Sequence, residues 1–273
     1  MPEVIIKSGR SDPHYWIELW RYRELFHVLA WRDISVRYKQ TVIGGTWALV
    51  RPFLIMIIFT VVFGKLANMQ SEGAAPYALM VFAGLLPWGF FSTALADASN
   101  SIVGNTNLIS KIYFPRLIIP IAAVVVAFID FLIGFLILIG LMIWYAYVPS
   151  WQIVLLPLFA AMAFGSSLGL GLWTTALNVK YRDFRYIVPF VVQFGLYVSP
   201  VGFSSQIVPE KWRLLYALNP MVGVIDGFRW CILGSDSKLY LPGIAVGVVV
   251  AACLLLFGIH QFRKMELRFA DLI

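Results

Sequence analysis

From residue 131 to residue 179 the chain runs for 49 positions without a single Asp, Glu, Lys or Arg. A helix rises ~1.5 Å per residue, so about 20 residues cross ~30 Å of hydrocarbon, and this run is long enough for most of two crossings. The break between them is expected at Tyr147, Val148, Pro149 and Ser150, where proline and serine stop one helix before Trp151 opens the next. The whole chain follows suit: it is 60% hydrophobic and 13% charged, against the roughly 25% charge that solvates an ordinary globule. An all-α polytopic membrane protein is the expected fold class.

Charge-poor stretches give six expected spans: residues 42–66 with Arg51 inside, 77–103 with Asp97 inside, two from Leu117 onward across the long run, 187–203 and 240–262. As a single transmembrane domain over 1–273, the chain divides into an N-terminal segment 1–41, a six-span region 42–262 and a tail 263–273. No signal-like apolar core precedes residue 40. With the N-terminus inside, 16 of the 21 Lys and Arg residues, Lys7, Arg10, Lys111, Arg116 and Arg268 among them, fall on the cytoplasmic face. Lys65, Lys211, Arg213, Arg229 and Lys238 fall outside. That asymmetry places both termini in the cytoplasm and accounts for the net charge of +7 without a nucleic-acid partner.

Two segments do not fit a simple hairpin of spans. Residues 14–29 put Trp16, Leu19 and Trp20 on one helical face, with Arg21, Arg23 and Glu24 elsewhere. This is the pattern of an amphipathic helix in the cytoplasmic interface, or of a cap packed on the membrane domain. Residues 199–234 are too polar and proline-broken to span, yet too apolar for a solvated loop. They read as re-entrant helices before the last span, or as a helix lying along the outer surface.

Much chemistry is missing. There is no G-x-x-x-x-G-K-[ST] phosphate loop. His14, His27 and His260 form no metal-ligand spacing, and Ser166 and Ser167 have no base nearby in sequence. Cys231 and Cys253 are too few for a disulfide framework. Asp97 and Asp130 fall within spans, where an ionised carboxylate needs a reason: a donor on another helix, or a relay of such groups. The spacings Gly165-x-x-x-Gly169 and Gly243-x-x-x-Gly247 permit close helix packing. The 43 aromatic residues include the clusters Trp88, Phe90, Phe91 and Phe194, Tyr197, Phe203. Their ring faces suit a low-friction path for sugars, and suit interfacial belts equally.

Five stretches then carry a likeness: residues 32–64, 84–95, 107–120 (NLISKIYFPRLIIP), 176–190 and 208–230. In this order they resemble the Wzm-like permease subunit of ABC-type polysaccharide exporters, which move O-antigen and related glycans across the bacterial inner membrane. The resemblance implies a transport subunit and not an enzyme. It implies a homodimer working with two copies of a separate ATPase subunit, which would bind the ATP and Mg; no cofactor is implied in this chain. It further implies an ATPase-coupling helix at Leu108, Lys111, Tyr113, Phe114, Pro115 and Arg116, with Tyr181, Arg182 and Asp183 in a second cytoplasmic loop. Outer gate helices would include Pro200, Trp212, Asn219, Pro220 and Arg229, and the entry region near the first span would include Arg32, Arg37, Tyr38 and Lys39. Two other readings stay open: a permease of this architecture for a drug or small lipid, and a membrane-embedded transferase.

Overall fold

The computed structural model describes residues 15–39, 46–69, 71, 75–234, 239–266 and 269. Lys7, Arg10, His14, Lys238, Arg268 and residues 42–45, which the sequence reading used, lie outside the described residues. All regular structure among the described residues is helical: α1 (Tyr15–Arg21), α2 (Arg23–Lys39), α3 (Thr46–Phe59, continued as a π-helix over Thr60–Leu66), α4 (Tyr77–Gly104), α5 (Thr106–Ile109), α6 (Ile118–Trp144), α7 (Leu156–Lys180, entered through a 3-10 turn at Trp151–Leu155), α8 (Phe184–Val198), α9 (Glu210–Tyr216), α10 (Pro220–Leu233) and α11 (Leu241–Glu266). The expected break after the third span is present. Helix α6 ends at Trp144, Ala146 turns the backbone at φ 50°, and the next helical turn starts at Trp151.

Five of these helices are long and apolar enough to cross a membrane: Leu49–Leu66, Tyr77–Gly104, Ile118–Trp144, Trp151–Lys180 and Leu241–Glu266. The expected fifth span over 187–203 is shorter than anticipated. Helix α8 has 15 residues, roughly 22 Å at ~1.5 Å each, and alone falls short of a ~30 Å core. Ser199 and Pro200 end it, and the chain reaches α9 and α10 through a short 3-10 turn.

Helix α4 is the hub, packed against α6, α7, α10, α3 and α8. Its Phe90 sits among Phe128, Phe131 and Phe164, with ring centroids 5.5, 5.7 and 6.2 Å away. In hydrocarbon such contacts act through shape and dispersion, because lipid is as apolar as the side chains, so close approach decides which helices associate. The tightest approach joins α7 to α11. A Cβ on Gly169 would come within 2.5 Å of the backbone of Leu254 and Leu255, and Gly258 faces the Gly169 carbonyl. Gly165 does not share in this crossing; the nearest atom to its would-be Cβ is 4.0 Å off.

At one end of the bundle polar bonds fix the helix ends to one another. Thr175 Oγ1 donates to the Ala98 carbonyl at 2.7 Å, and Asn178 Nδ2 to the Ser99 carbonyl at 2.9 Å. A satellite core covers this end, joining Leu29, Phe114, Ile118, Val179, Phe262 and Phe269. Helices α1 and α2 lie across it with Tyr15, Leu19, Tyr22 and Phe26 turned inward, while Trp16 and Trp20 are exposed. Leu19 therefore does not share the face of Trp16 and Trp20. The inner stripe follows positions 15, 19, 22 and 26, the spacing of one helical face.

Candidate functional site

The segment after α4 is built from local bonds. The Leu108 and Ile109 amides donate to the Asn105 carbonyl, and the Ser110 amide to that of Thr106, which winds one turn of α5. The Ile112 amide reaches the Leu108 carbonyl before Pro115, which has no N–H to give, ends the pattern. The turn presents two faces. Phe114 is 3% exposed in the satellite core, and Pro115 is buried with it. Ile112 and Tyr113 are 54% and 56% exposed, beside exposed Lys111. Of the two aromatics that the resemblance puts on a docking face, only Tyr113 is at the surface. Phe114 is the anchor beneath it.

Arg116 is engaged within the chain. Its backbone amide donates to Glu266 Oε1 at 2.7 Å and its guanidinium to the Glu266 carbonyl at 2.6 Å. The other carboxylate oxygen of Glu266 accepts from the Tyr15 hydroxyl at 2.8 Å. Burial, and after it the negative charge of Glu266, holds the Tyr15 phenol protonated well above the ordinary tyrosine range. The Arg263 guanidinium lies 4.6 Å from the centre of the Tyr15 ring, a cation–π contact. Arg32 on α2 donates to Asn105 Oδ1 at 2.9 Å. Thus this turn is tied to α1, α2 and the end of α11.

Tyr181, Arg182 and Asp183 form the turn between α7 and α8 and are exposed. Because Asn178 is bonded to Ser99, this turn lies at the same end as residues 105–116. Tyr181 is covered by Lys180, whose Nζ stands 4.8 Å above its ring.

The expected aromatic path divides. Trp88, Phe90 and Phe91 are buried inside the bundle, with α8 lying on Trp88 through Gly195. Phe203 is half-buried. Phe194 and Tyr197 are exposed and belong to a longer stripe that sequence reasoning missed. Tyr186 is 81% exposed and Phe190 68%, and the Phe190 and Phe194 rings stack at 6.3 Å and 10°. Positions 186, 190, 194 and 197 share one face of α8. The four-residue spacing of Tyr186, Phe190 and Phe194 was the signal available.

At the opposite end, the residues named for an outer gate have distinct roles. Pro220 is buried at the start of α10, capped by Asn219 Oδ1 accepting from the Met221 amide at 3.1 Å. Asn219 Nδ2 also donates to Ser199 Oγ at 2.9 Å, next to buried Pro200. Trp212 is exposed on α9. Arg229, counted by the sequence reading among the cations on the outer side of the membrane, is 0% exposed. It donates to the carbonyls of Val201 and Phe203 at 2.8 Å and of Met80 at 3.3 Å, stitching α10 to the 199–203 segment and to α4.

The family profile described as ABC-2 type transporter matches residues 24–233. Among named relatives, the O-antigen export system permease protein RfbA of Klebsiella pneumoniae is 27% identical, over 92% of this chain and 95% of that one. The Myxococcus xanthus protein of the same name is 29% identical over 78% and 81%. The inner membrane transport permease YadH of Escherichia coli K12 is 25% identical over 78% and 87%.

Proposed function

Since the chain belongs to the ABC-2 type transporter family, we propose that it is the membrane-spanning subunit of an ATP-driven exporter that carries a polysaccharide, O-antigen or a related lipid-linked glycan, across the inner membrane. The observation that carries this reading is the likeness, over 92% of the chain, to a permease named for O-antigen export. The lack of a phosphate loop agrees, since ATP and Mg would then be bound by a separate ATPase subunit, present in two copies. The permease itself works as a homodimer.

Six crossings, with both termini in the cytoplasm, are favoured by parity. Five spans would leave the first and last helices on opposite sides of the membrane. Tyr15 is nevertheless hydrogen-bonded to Glu266 at the very end of the last span. An even number of crossings suits that contact: α8 together with residues 199–203 makes the sixth, and α9 and α10 then lie re-entrant near the outer face. The charge asymmetry puts the shared end in the cytoplasm.

In this arrangement Ile112 and Tyr113 form the ATPase-docking knob, Phe114, Pro115 and Arg116 its footing, and Tyr181, Arg182 and Asp183 a second contact. The stripe Tyr186, Phe190, Phe194 and Tyr197 has few neighbours in its own chain and faces the glycan path between the two protomers, where flat rings meet the apolar faces of sugars without holding ions. Buried Trp88, Phe90 and Phe91 support that wall from behind. Pro200, Trp212, Asn219, Pro220 and Arg229 shape the outer exit.

The docking assignment is tested by co-purifying the chain with its ATPase. Ile112→Ala with Tyr113→Ala lowers complex formation about tenfold at unchanged melting temperature, an effect of ~1.4 kcal/mol. Phe114→Ala acts instead on stability, by roughly 3–5 kcal/mol for a buried ring. Unchanged complex with the double variant would refute the docking role.

A further inference from the structure

Two carboxylates within predicted spans meet one guanidinium at the end of the N-terminal helix. Arg37 on α2 donates through one terminal nitrogen to Asp97 on α4 and through the other to Asp130 on α6. The neighbouring Tyr38 hydroxyl donates to the second oxygen of Asp130. The three charged side chains are 23–33% exposed, so the cluster sits at the surface of the seam between helices. Asp97 lies seven residues, and Asp130 twelve, from the ends of α4 and α6 that carry the coupling-like turn. That is roughly 10 and 18 Å of helix rise. Helix α2 therefore does not stay at the surface throughout: its last turn carries a cation into the depth where Asp97 and Asp130 are found.

The chemistry of the cluster is that of a clamp with an odd charge. With Arg37 in place, each carboxylate has a bonded cation, and the planar fork of the guanidinium spans both. Without it, two like charges on adjoining helices face each other in a medium that screens poorly, and the seam between α4 and α6 opens. Lysine would not serve, because one ammonium on a flexible stem lacks the paired nitrogens that bridge two helices. Farther back, the same α2 is bonded through Arg32 to Asn105 in the turn where the ATPase docks. One continuous rod thus touches the docking turn in its middle and the intramembrane acids at its tip.

We propose that Arg37 is a positioning residue of transport, whose shared ion pairs with Asp97 and Asp130 hold α2, α4 and α6 in register so that motion of the docking turn reaches the membrane interior. The transport part of this inference rests on the export reading above. Its structural part does not.

The test uses the full chain with its ATPase, reading glycan export in cells and the melting temperature of the purified protein in detergent. Arg37→Met lowers both, export by about tenfold or more, the effect of two neighbouring carboxylates left without their shared cation. Arg37→Lys restores little. The triple variant Arg37→Met, Asp97→Asn, Asp130→Asn, which removes the cation and both anions together, recovers the melting temperature and returns export to within about threefold, the coupling expected of groups acting as one unit. Asp97→Asn with Asp130→Asn alone strands the guanidinium and behaves like Arg37→Met. If Arg37 instead touches the cargo, the triple variant regains stability but not export, and the proposal falls. It falls equally if Arg37→Met changes neither readout, or if the triple variant regains neither. Recovery of the melting temperature in a protein that exports no glycan even as wild type would sink the export reading and leave the clamp standing.

Discussion

Replacing Arg229 by methionine separates a packing role from an electrostatic one at the end of the bundle opposite residues 105–116. The wild-type guanidinium makes two 2.8 Å bonds to the carbonyls of Val201 and Phe203 and a longer one, 3.3 Å, to that of Met80. Met80 lies within α4, so its carbonyl keeps a helical partner. The other two belong to irregular backbone and are left bare, at a cost of ~1–3 kcal/mol each. Methionine fills much of the same volume and also removes the burden of keeping a charge out of water, which offsets a few kcal/mol. The net loss is about 2–3 kcal/mol. At ~2–4 °C per kcal/mol for a chain of this size, the melting temperature drops by roughly 4–12 °C. Arg229→Lys keeps the charge buried but reaches fewer carbonyls, so its loss equals or exceeds that of methionine. The assay is thermal unfolding of the purified protein in detergent, followed by loss of the monodisperse species. A lysine variant as stable as wild type would show that charge alone matters and refute the carbonyl-stitching argument.

At the crossing of α7 and α11, Gly169→Val inserts carbons where the backbone of Leu254 and Leu255 leaves 2.5 Å. The helices must separate, costing about 1–3 kcal/mol in the same thermal assay. Gly165→Val, where a Cβ meets only the end of the Leu255 side chain at 4.0 Å, costs less than Gly169→Val. The folded state keeps the phenols of Tyr15 and Tyr38 protonated above their ordinary value of 10.0, through burial first and then through Glu266 and Asp130. Stability from both is therefore fully present below pH 10 and lost as the pH rises through the higher folded values. The melting temperature stays level from pH 7 to about 9 and falls above 10, and Tyr15→Phe with Tyr38→Phe flattens that fall.

The sequence made the long helices legible because hydrocarbon thickness imposes a length and a lack of charge that survive any tertiary arrangement. The break between α6 and α7 was legible for the same reason, since Pro149 and Ser150 act locally. Helix α8 was not: its apolar run continues past Ser199, and only the packing of 199–203 against Arg229 and α4 shows where the helix gives way. The sequence put Arg229 on the outer side but could not name its partners, since the carbonyls it reaches lie 26, 28 and 149 residues away and meet it only in three dimensions. Phe114 and Tyr113 are adjacent and chemically alike, so nothing in their identity could say which faces inward. The assembly of Leu29, Ile118 and Phe262 into one core decides it. Asp97 and Asp130 were recognised as needing donors, but Arg37, sixty residues before Asp97, could be matched to them only in three dimensions.

This chain is expected to move a glycan only when a partner's ATP hydrolysis drives it. Reconstituting it with its ABC ATPase in proteoliposomes, with a lipid-linked glycan on the ATPase face, measures that directly. Lectin-accessible glycan is expected on the opposite face only when both proteins and hydrolysable ATP are present. Glycan crossing with the permease alone, or at equal rate with a non-hydrolysable analogue, would contradict it.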